Sequence, residues 1–391
     1  MDCVNTEIKD CQSILILRPD NLGDVVLFSG TLRHIRNHFQ NATISLCVKK
    51  YVQNYIEYCP YIDYVHTWDK YAMPSSSFIP PNMLRGRTYL LGWFDKLNRK
   101  SLLQYLKTDL LLVPVRSPSK GIYGEYAIVS DIPARIKIGI AGDYSNQDCK
   151  TEAKYSNLYS RCLHLDTGLV DLHELNVTAQ FLQLLGINTT IEDLWPEVWT
   201  TDEDRIWAKE RIPQSSTSTV LALCPGASDK RKLYPIQQYR SIFNSLNNEL
   251  LTIVLFGSKS ERNLCDKIQQ EIKSCKNVLK VFNLAGDSTV RQLIEGLRNC
   301  DIVLSTDSAS LHLSVAIKKP VVGIMGGWHY GRFYPWGNPN IHRVVNQSMD
   351  CYWCNSRCIF RNIRCIEEIE PIKIALELQS LIEDLCHAKK V

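Results

Sequence analysis

The sequence lacks a strong excess of charge of either sign. Its 391 residues carry 45 Lys and Arg against 41 Asp and Glu, so the formal net charge at pH 7 is only +4. Proteins that bind nucleic acid through its phosphates usually carry a large basic excess. We therefore expect no nucleic-acid partner.

The sequence also lacks a hydrophobic run long enough to cross a bilayer. Its first residues contain no basic segment followed by an apolar one, which is the pattern of a secretory signal. These features predict a cytoplasmic protein. Fifteen cysteines is a high count, and a chain in that compartment keeps most of its thiols reduced.

A local basic patch lies between residues 85 and 100, close to Trp93. It consists of Arg85, Arg87, Lys96, Arg99 and Lys100. A solvated helix face is the simpler interpretation. The alternative is contact with an anionic acceptor or with membrane headgroups, which would place the protein peripherally on the inner face of the membrane.

Short apolar strands alternate with helical segments along the chain, and this alternation predicts an α/β fold with parallel sheets. In the first half we predict strands at 13–18, 43–48, 64–68, 109–115 and 135–140, with helices at 25–38, 51–58, 93–106 and 173–185. The pattern restarts after a join at 195–218. There we predict strands at 220–224, 251–256, 302–304 and 320–327, with helices at 235–246, 260–273, 289–298 and 311–317. A chain of this length favours two domains.

The strand at 302–304 is followed by a turn of small, hydroxylic and acidic residues at 305–310. Oxygens of such residues accept the unpaired amide hydrogens of a helix start. A helix start at the carboxyl end of a parallel strand is also a favourable site for an anion. An ordinary, well-capped turn between strand and helix explains the same residues. The turn alone therefore does not distinguish an anion site from a plain turn.

Four cysteines are clustered near the end of the chain, with two, three and six residues between them. They are Cys351, Cys354, Cys358 and Cys365. Four thiolates at short spacing suit a tetrahedral zinc or iron ion. Reduced thiols and disulfides are the alternatives. The nearby Arg357, Arg361 and Arg364 are expected to favour thiolates. A bound metal would be a structural brace or an oligomer contact, not a catalyst.

Four stretches of the sequence occur in an order and spacing that resemble glycosyltransferase family 9, the heptosyltransferase family. The first is 16–25, a strand followed by Gly23-Asp24, and the second is 225–228 with the Lys-Leu-Tyr-Pro sequence at 232–235. The third is 256–261, and the fourth is 283–286 together with 305–312. Two departures are visible: Tyr234 replaces the usual Trp, and Ser308-Ala309 replaces the usual Thr-Gly.

The resemblance implies a GT-B type α/β fold in which two Rossmann-like domains face a central cleft. It implies an acceptor-binding domain at 1–200 and a nucleotide-sugar-binding domain at 215–346. The cysteine-rich segment and a last helix follow at 347–391, and in GT-B proteins that helix often packs back onto the first domain. The reaction implied is inverting transfer, usually from ADP-heptose, without a catalytic metal.

The resemblance also implies roles for individual residues. Asp24 matches the general base, and its competing interpretation is a helix cap. The implied donor-binding residues are Lys232, Glu261, Asp307 and His312, together with the backbone amides of Ser308, Ala309 and Ser310. For Lys232, Glu261 and His312 the simpler interpretations are surface charge, a first-turn glutamate and a core histidine.

The function predicted from the sequence is therefore transfer of a sugar, heptose from ADP-heptose being favoured, to a hydroxyl of an acceptor. The acceptor would be a cell-envelope glycan, a glycolipid such as lipopolysaccharide, or a protein. A homo-oligomer is a further possible assembly of the enzyme. Two alternatives stay open. One is a GT-B transferase or epimerase that uses a UDP-sugar, and the other is a non-catalytic nucleotide-sugar-binding or scaffold protein with a degenerate site.

Overall fold

The computed structural model describes residues 7–69, 72–75, 106–116, 125–144, 150, 156–165, 172–215, 217–247, 250–355 and 357–388. The chain divides into two compact units, Met1–Trp199 and Thr200–Val391. Each unit is built on a sheet of mainly parallel strands, so the predicted α/β class is confirmed. Among the helices of the described residues, none combines the length and the apolar character that a membrane span requires.

The first unit contains a seven-stranded sheet in the order β4-β3-β2-β1-β5-β6-β7. Its strands are β1 (Ser13–Arg18), β2 (Thr43–Val48), β3 (Tyr64–Asp69), β4 (Ala72–Ser75), β5 (Thr108–Val113), β6 (Ala134–Ala141) and β7 (Arg161–His164). β4 pairs with β3 in the antiparallel sense, and the other neighbouring strands are parallel.

The α-helices of the first unit are α1 (Leu22–Ser29), α2 (Thr31–His38), α3 (Gln53–Ile56), α4 (Glu125–Asp131) and α5 (Glu174–Gln183). We predicted one helix at 25–38, and the structure has two, which meet at Gly30. The backbone of residues 194–195 passes this point so closely that a Cβ at Gly30 would lie 2.4 Å from the Trp195 carbonyl oxygen. A side chain is therefore excluded at the junction.

The second unit contains a six-stranded sheet in the order β10-β9-β8-β11-β12-β13, with parallel neighbours throughout. Its strands are β8 (Thr219–Cys224), β9 (Leu251–Leu255), β10 (Val278–Asn283), β11 (Ile302–Thr306), β12 (Val321–Met325) and β13 (His342–Asn346). Its α-helices are α6 (Asp202–Arg211), α7 (Ile236–Asn244), α8 (Arg262–Ile272), α9 (Val290–Asn299), α10 (Ala309–Ala316), α11 (Arg364–Glu367) and α12 (Pro371–Ala388).

The last helix, α12, packs against the sheet of the second unit. Its apolar residues recur at helical spacing and join the core of that unit: Ile374, Ala375, Leu378, Leu381 and Ile382. Within the second unit this apolar face is covered by β11, β12, β13 and α7. The expectation that the helix also packs onto the first domain stays a prediction.

Several elements were missed or lie outside the described residues. The strands β7, β10 and β13 were not predicted from the sequence. In the described part of the chain they are the edge strands of their sheets, and each carries polar residues. An edge strand is less buried than a central one, so its sequence shows a weaker apolar pattern. The predicted helix at 93–106 and the basic patch fall almost wholly in the range 76–105, outside the described residues.

Two buried tyrosines in the second unit make a matched pair for a stability test. The Tyr234 hydroxyl donates to the Ile369 carbonyl over 2.7 Å, which attaches the motif residue Tyr234 to the chain just before α12. Among the described residues, the Tyr239 hydroxyl has no hydrogen-bond partner. The two rings pack edge to face with their centroids 5.6 Å apart.

We predict that Tyr234→Phe lowers the free energy of unfolding of the full chain by about 1–3 kcal/mol, because a buried carbonyl loses its donor. Tyr239→Phe, which removes a buried hydroxyl that lacks a partner, is expected to be neutral or stabilising. Urea denaturation followed by circular dichroism measures both. Equal losses in the two variants would contradict the assignment of the Tyr234 hydrogen bond.

Candidate functional site

The sheet of the second unit has a topological switch point between β8 and β11. From β8 the chain continues to β9 on one side, and from β11 it continues to β12 on the other side. Open parallel sheets bind ligands at the carboxyl ends of the strands at such a point. The turns after the two strands are joined here, because the Thr306 hydroxyl donates to the Gly226 carbonyl over 2.7 Å.

A largely buried ion pair lies at this edge of the sheet. Lys232 ends the short 3-10 helix Lys230–Lys232, and Asp307 directly follows β11. The Lys232 Nζ atom is 2.7 Å from Asp307 Oδ2, and the two side chains are 20% and 6% exposed. The structure thus brings together two residues that lie far apart in the sequence and that both belong to the predicted donor site.

The charge state of Asp307 follows from this pairing. Burial alone would raise the pKa of its carboxyl, but the Lys232 ammonium lowers that pKa through its charge and its hydrogen bond, and His312 and His329 add to the lowering. The net pKa lies below the usual range of aspartate. At neutral pH, Asp307 is therefore an ionised hydrogen-bond acceptor beside a fixed cation.

Helix α10 begins beside the ion pair. Ser308 is its N-cap residue, and no side chain of the described residues caps the helix by a hydrogen bond. The first amides of a helix lack intrahelical acceptors and lie at the positive end of its dipole, so the backbone at Ser308, Ala309 and Ser310 is suited to phosphate oxygens. Ala309 is the first helical residue, and alanine fits helical backbone without strain.

His312 is buried on α10, at 4% exposure. Its Nδ1 atom accepts from the Trp336 indole N–H over 3.1 Å, and the two rings are nearly parallel. Acceptance at Nδ1 leaves the proton of the neutral ring on Nε2. His312 is thus a core histidine with a fixed tautomer and also a near neighbour of Asp307, whose pKa it lowers.

Glu261 has a structural task in addition to its predicted role. Its Oε2 atom accepts from the backbone N–H of Ser258 at 2.6 Å and from the Ser258 hydroxyl at 2.7 Å, which caps the following helical turn. Its Oε1 atom lies so close to Gly226 that a Cβ there would be 2.1 Å away. The carboxylate therefore lies against the turn after β8, close to the switch point.

Asp24 lies in the first unit, in the first turn of α1, shortly after β1 ends. β1 and β5 flank the switch point of the first sheet, and Arg18 joins them by donating to the carbonyls of Pro114 and Asp24. The Asp24 carboxylate accepts from the Asn21 backbone N–H over 3.2 Å. The helix cap, which is the alternative to a catalytic role for Asp24, is thus present. Asp24 also lies at the edge of the sheet where ligands bind in such folds.

The four clustered cysteines line one small cavity: Cys351, Cys354, Cys358 and Cys365. Its volume is about 10 Å³, which is room for one water-sized particle. Among the described residues, none of the four forms a disulfide. Within the described ranges, however, no group of three or more His, Cys, Asp or Glu side chains is arranged to hold a metal ion.

Burial and nearby charges both act on these thiols. Burial raises the pKa of the Cys365 thiol, and the neighbouring thiols add to that effect. The Arg364 guanidinium forms an ion pair with Glu368, with Nε 2.6 Å from Oε1, and it also lies over the Phe360 ring. Its charge is therefore shared between Glu368 and the thiols. Arg364 also interacts with Cys351 through its charge, and the prediction that flanking arginines favour thiolates stays a prediction for the cluster.

Three residues at or near the ion pair were not predicted from the sequence. The Trp328 ring lies 5.8 Å from Lys232 Nζ, and His329 is close enough to affect the pKa of Asp307. Asn355 contacts His329 at 2.5 Å. The available signal was the pair of glycines at 326–327, which end the strand next to β11 at the ligand edge of the sheet.

Fold and site together define an α/β protein of two compact units, with a candidate anion site at the switch point of its second sheet. The family model "Glycosyltransferase family 9 (heptosyltransferase)" matches residues 134–362, which is more than half of the chain. The chain belongs to glycosyltransferase family 9, so the family predicted from the sequence is confirmed.

Curated relatives are similar in sequence to part of this chain. Lipooligosaccharide heptosyltransferase 2 of Campylobacter jejuni is 28% identical over 169 residues, which cover 42% of this chain and 51% of the relative. A counterpart from a second strain of that organism is 26% identical over 164 residues, 41% of this chain and 51% of its own. The chain spans about half the length of these curated relatives.

Solved structures agree with the fold over nearly the whole chain. A glycosyltransferase family 9 protein of Veillonella parvula superposes with a TM-score of 0.71 at 17% identity, covering 95% of this chain and 98% of its own. The ADP-heptose lipopolysaccharide heptosyltransferase II of E. coli gives 0.61 at 17% identity, covering 95% and 99%. The predicted GT-B type of fold is confirmed by this likeness.

Proposed function

We propose that the protein transfers heptose from ADP-heptose, with inversion, to a hydroxyl of a cell-envelope glycan, a lipopolysaccharide precursor or a protein. The observation that carries this proposal is the Lys232–Asp307 pair at 2.7 Å, beside the uncapped start of α10 at a sheet switch point. The names of the relatives support it: one C. jejuni match is a heptosyltransferase, and the E. coli structure is of an ADP-heptose enzyme.

The proposed donor chemistry follows from charge. As the acceptor oxygen bonds to the sugar, the bond from the sugar to the diphosphate breaks and negative charge grows on the leaving phosphate. A fixed ammonium and helix amides aimed at that charge stabilise the transition state. Lys232 and the amides of residues 308–310 supply both, so we propose that the reaction proceeds without a catalytic metal. The ionised Asp307 holds Lys232 in place and can accept from sugar hydroxyls.

The acceptor hydroxyl must lose its proton in this reaction, and we propose Asp24 as the base. A carboxylate at the carboxyl end of β1 lies where ligands reach an open sheet. Its hydrogen bond with Asn21 uses one oxygen at 3.2 Å, and the half-buried side chain keeps it in the turn. A cytoplasmic location, a peripheral membrane contact and a homo-oligomer stay predictions, and so do the UDP-sugar and scaffold alternatives.

We predict that ADP binds the full-length protein more tightly than UDP or GDP, and that Lys232→Ala weakens ADP binding by about tenfold to a hundredfold. This range corresponds to the loss of one charge-assisted hydrogen bond, about 1.5–3 kcal/mol. Isothermal titration calorimetry at matched concentrations measures these affinities. Lys230→Ala, in the same 3-10 helix, is the matched control and should bind ADP like the wild type.

The other outcomes of this titration are equally informative. A preference for UDP or GDP would contradict ADP-heptose as the donor and favour the alternative of a GT-B enzyme that uses another nucleotide sugar. Absence of binding for all three nucleotides would contradict the donor site and favour the scaffold without a functional pocket.

We predict that Asp24→Asn reduces kcat by about 10²–10⁴, the usual contribution of a general base, while ADP affinity is unchanged. The asparagine side chain keeps an oxygen that can accept from the Asn21 amide, so the helix cap survives and only basicity is lost. Single-turnover transfer assays with ADP-heptose and a deacylated lipopolysaccharide core measure the rate. Full activity in Asp24→Asn would leave the residue as a cap only.

We also propose that the four clustered cysteines hold a structural zinc or iron ion. Four soft donors around one water-sized cavity support this proposal. Among the described residues these thiols are not arranged to hold an ion, so binding requires them to come closer together around the metal.

If this holds, protein purified without chelator contains about one zinc or iron ion per chain, and Cys354→Ser loses it, because a tetrahedral site needs all four ligands. Elemental analysis measures the metal content, and Cys386→Ser, outside the cluster, is the control. A metal-free wild-type protein with four titratable thiols in the cluster would overturn this proposal.

A further inference from the structure

The cysteine-rich segment, defined as residues 351–355 and 357–358, packs on residues 327–330, which follow β12. The Trp353 backbone N–H donates to the Gly327 carbonyl over 2.9 Å, and the Trp353 indole N–H donates to the Tyr330 carbonyl over 2.8 Å. The Tyr352 ring lies flush against Gly327, where a Cβ would be 2.0 Å from the ring. The segment is thus attached to the ligand edge of the second sheet.

One side-chain contact continues this attachment toward the ion pair. His329 Nε2 lies 2.5 Å from Asn355 Oδ1. Asn355 adopts a left-handed backbone conformation, with φ of 48°, which asparagine tolerates better than most residues. The backbone therefore turns at this point and places the Asn355 amide against the His329 ring.

His329 in turn adjoins the donor site. It is among the groups that shift the pKa of Asp307, and the neighbouring Trp328 ring lies 5.8 Å from Lys232 Nζ. Trp328 is 4% exposed and lines the same cavity as the four cysteines. The cysteine-rich segment, residues 327–330 and the Lys232–Asp307 pair thus form one continuous set of contacts.

We infer that His329, oriented by Asn355, is a specificity-determining residue for the sugar of the donor. This inference rests on the proposed function of the Lys232–Asp307 site. Because Asn355 Oδ1 accepts, Nε2 of the neutral His329 ring carries the proton and Nδ1 is an acceptor. An acceptor nitrogen suits a sugar hydroxyl, whereas the phosphates are bound by Lys232 and the amides of α10.

The test compares ADP with ADP-heptose as ligands of the full-length protein. Asn355→Ala and His329→Phe should each weaken ADP-heptose by about tenfold, as expected for one hydrogen bond, and leave ADP within about twofold of the wild type. His329→Gln, whose amide offers both a donor and an acceptor, should restore most of the affinity. In steady-state transfer, the KM for ADP-heptose should rise more than kcat falls.

Asn346→Ala is the matched control, because Asn346 Nδ2 donates to the Tyr352 hydroxyl over 2.8 Å and supports the same segment without contacting His329. It should lower the melting temperature and leave the ratio of the two affinities unchanged. If Asn355→Ala weakens ADP and ADP-heptose equally, or neither, the inference is overturned and Asn355 is structural. If the wild-type protein binds neither ligand, the proposed function fails first, and the inference falls with it.

Discussion

The ion pair between Lys232 and Asp307 is the interaction on which the candidate site depends. A buried charge is costly unless an opposite charge and hydrogen bonds compensate it, so each of the two residues requires the other. The pair holds together the turns after β8 and β11, which are also joined by the hydrogen bond from Thr306. It leaves a cation at the start of a helix, and this is the arrangement that a diphosphate leaving group requires.

Several other features of the second unit serve the same edge of the sheet. Glu261 lies against Gly226 in the turn after β8, and Trp336 fixes the ring of His312 beside Asp307. The cysteine-rich segment packs on the residues that follow β12, and α12 closes the core beneath it. The cysteine-rich segment is therefore part of the structural support of the candidate site.

Much of this architecture could be predicted from local sequence. Strands such as β1, β8 and β11 are continuous apolar runs, and their order with the helices identifies a parallel α/β fold. The break at Gly30 could not be predicted, because it depends on a backbone segment 165 residues away. The contact of His329 with Asn355 escaped prediction for a similar reason: a left-handed turn between irregular segments leaves no periodic signal.

A crystal structure of the protein with ADP tests the central claim most directly. The account predicts that the β-phosphate lies within hydrogen-bond distance of Lys232 Nζ and of the backbone amides of Ser308, Ala309 or Ser310, at the carboxyl ends of β8 and β11. ADP bound at another place, with the Lys232–Asp307 pair intact and out of contact with any phosphate oxygen, would contradict the account.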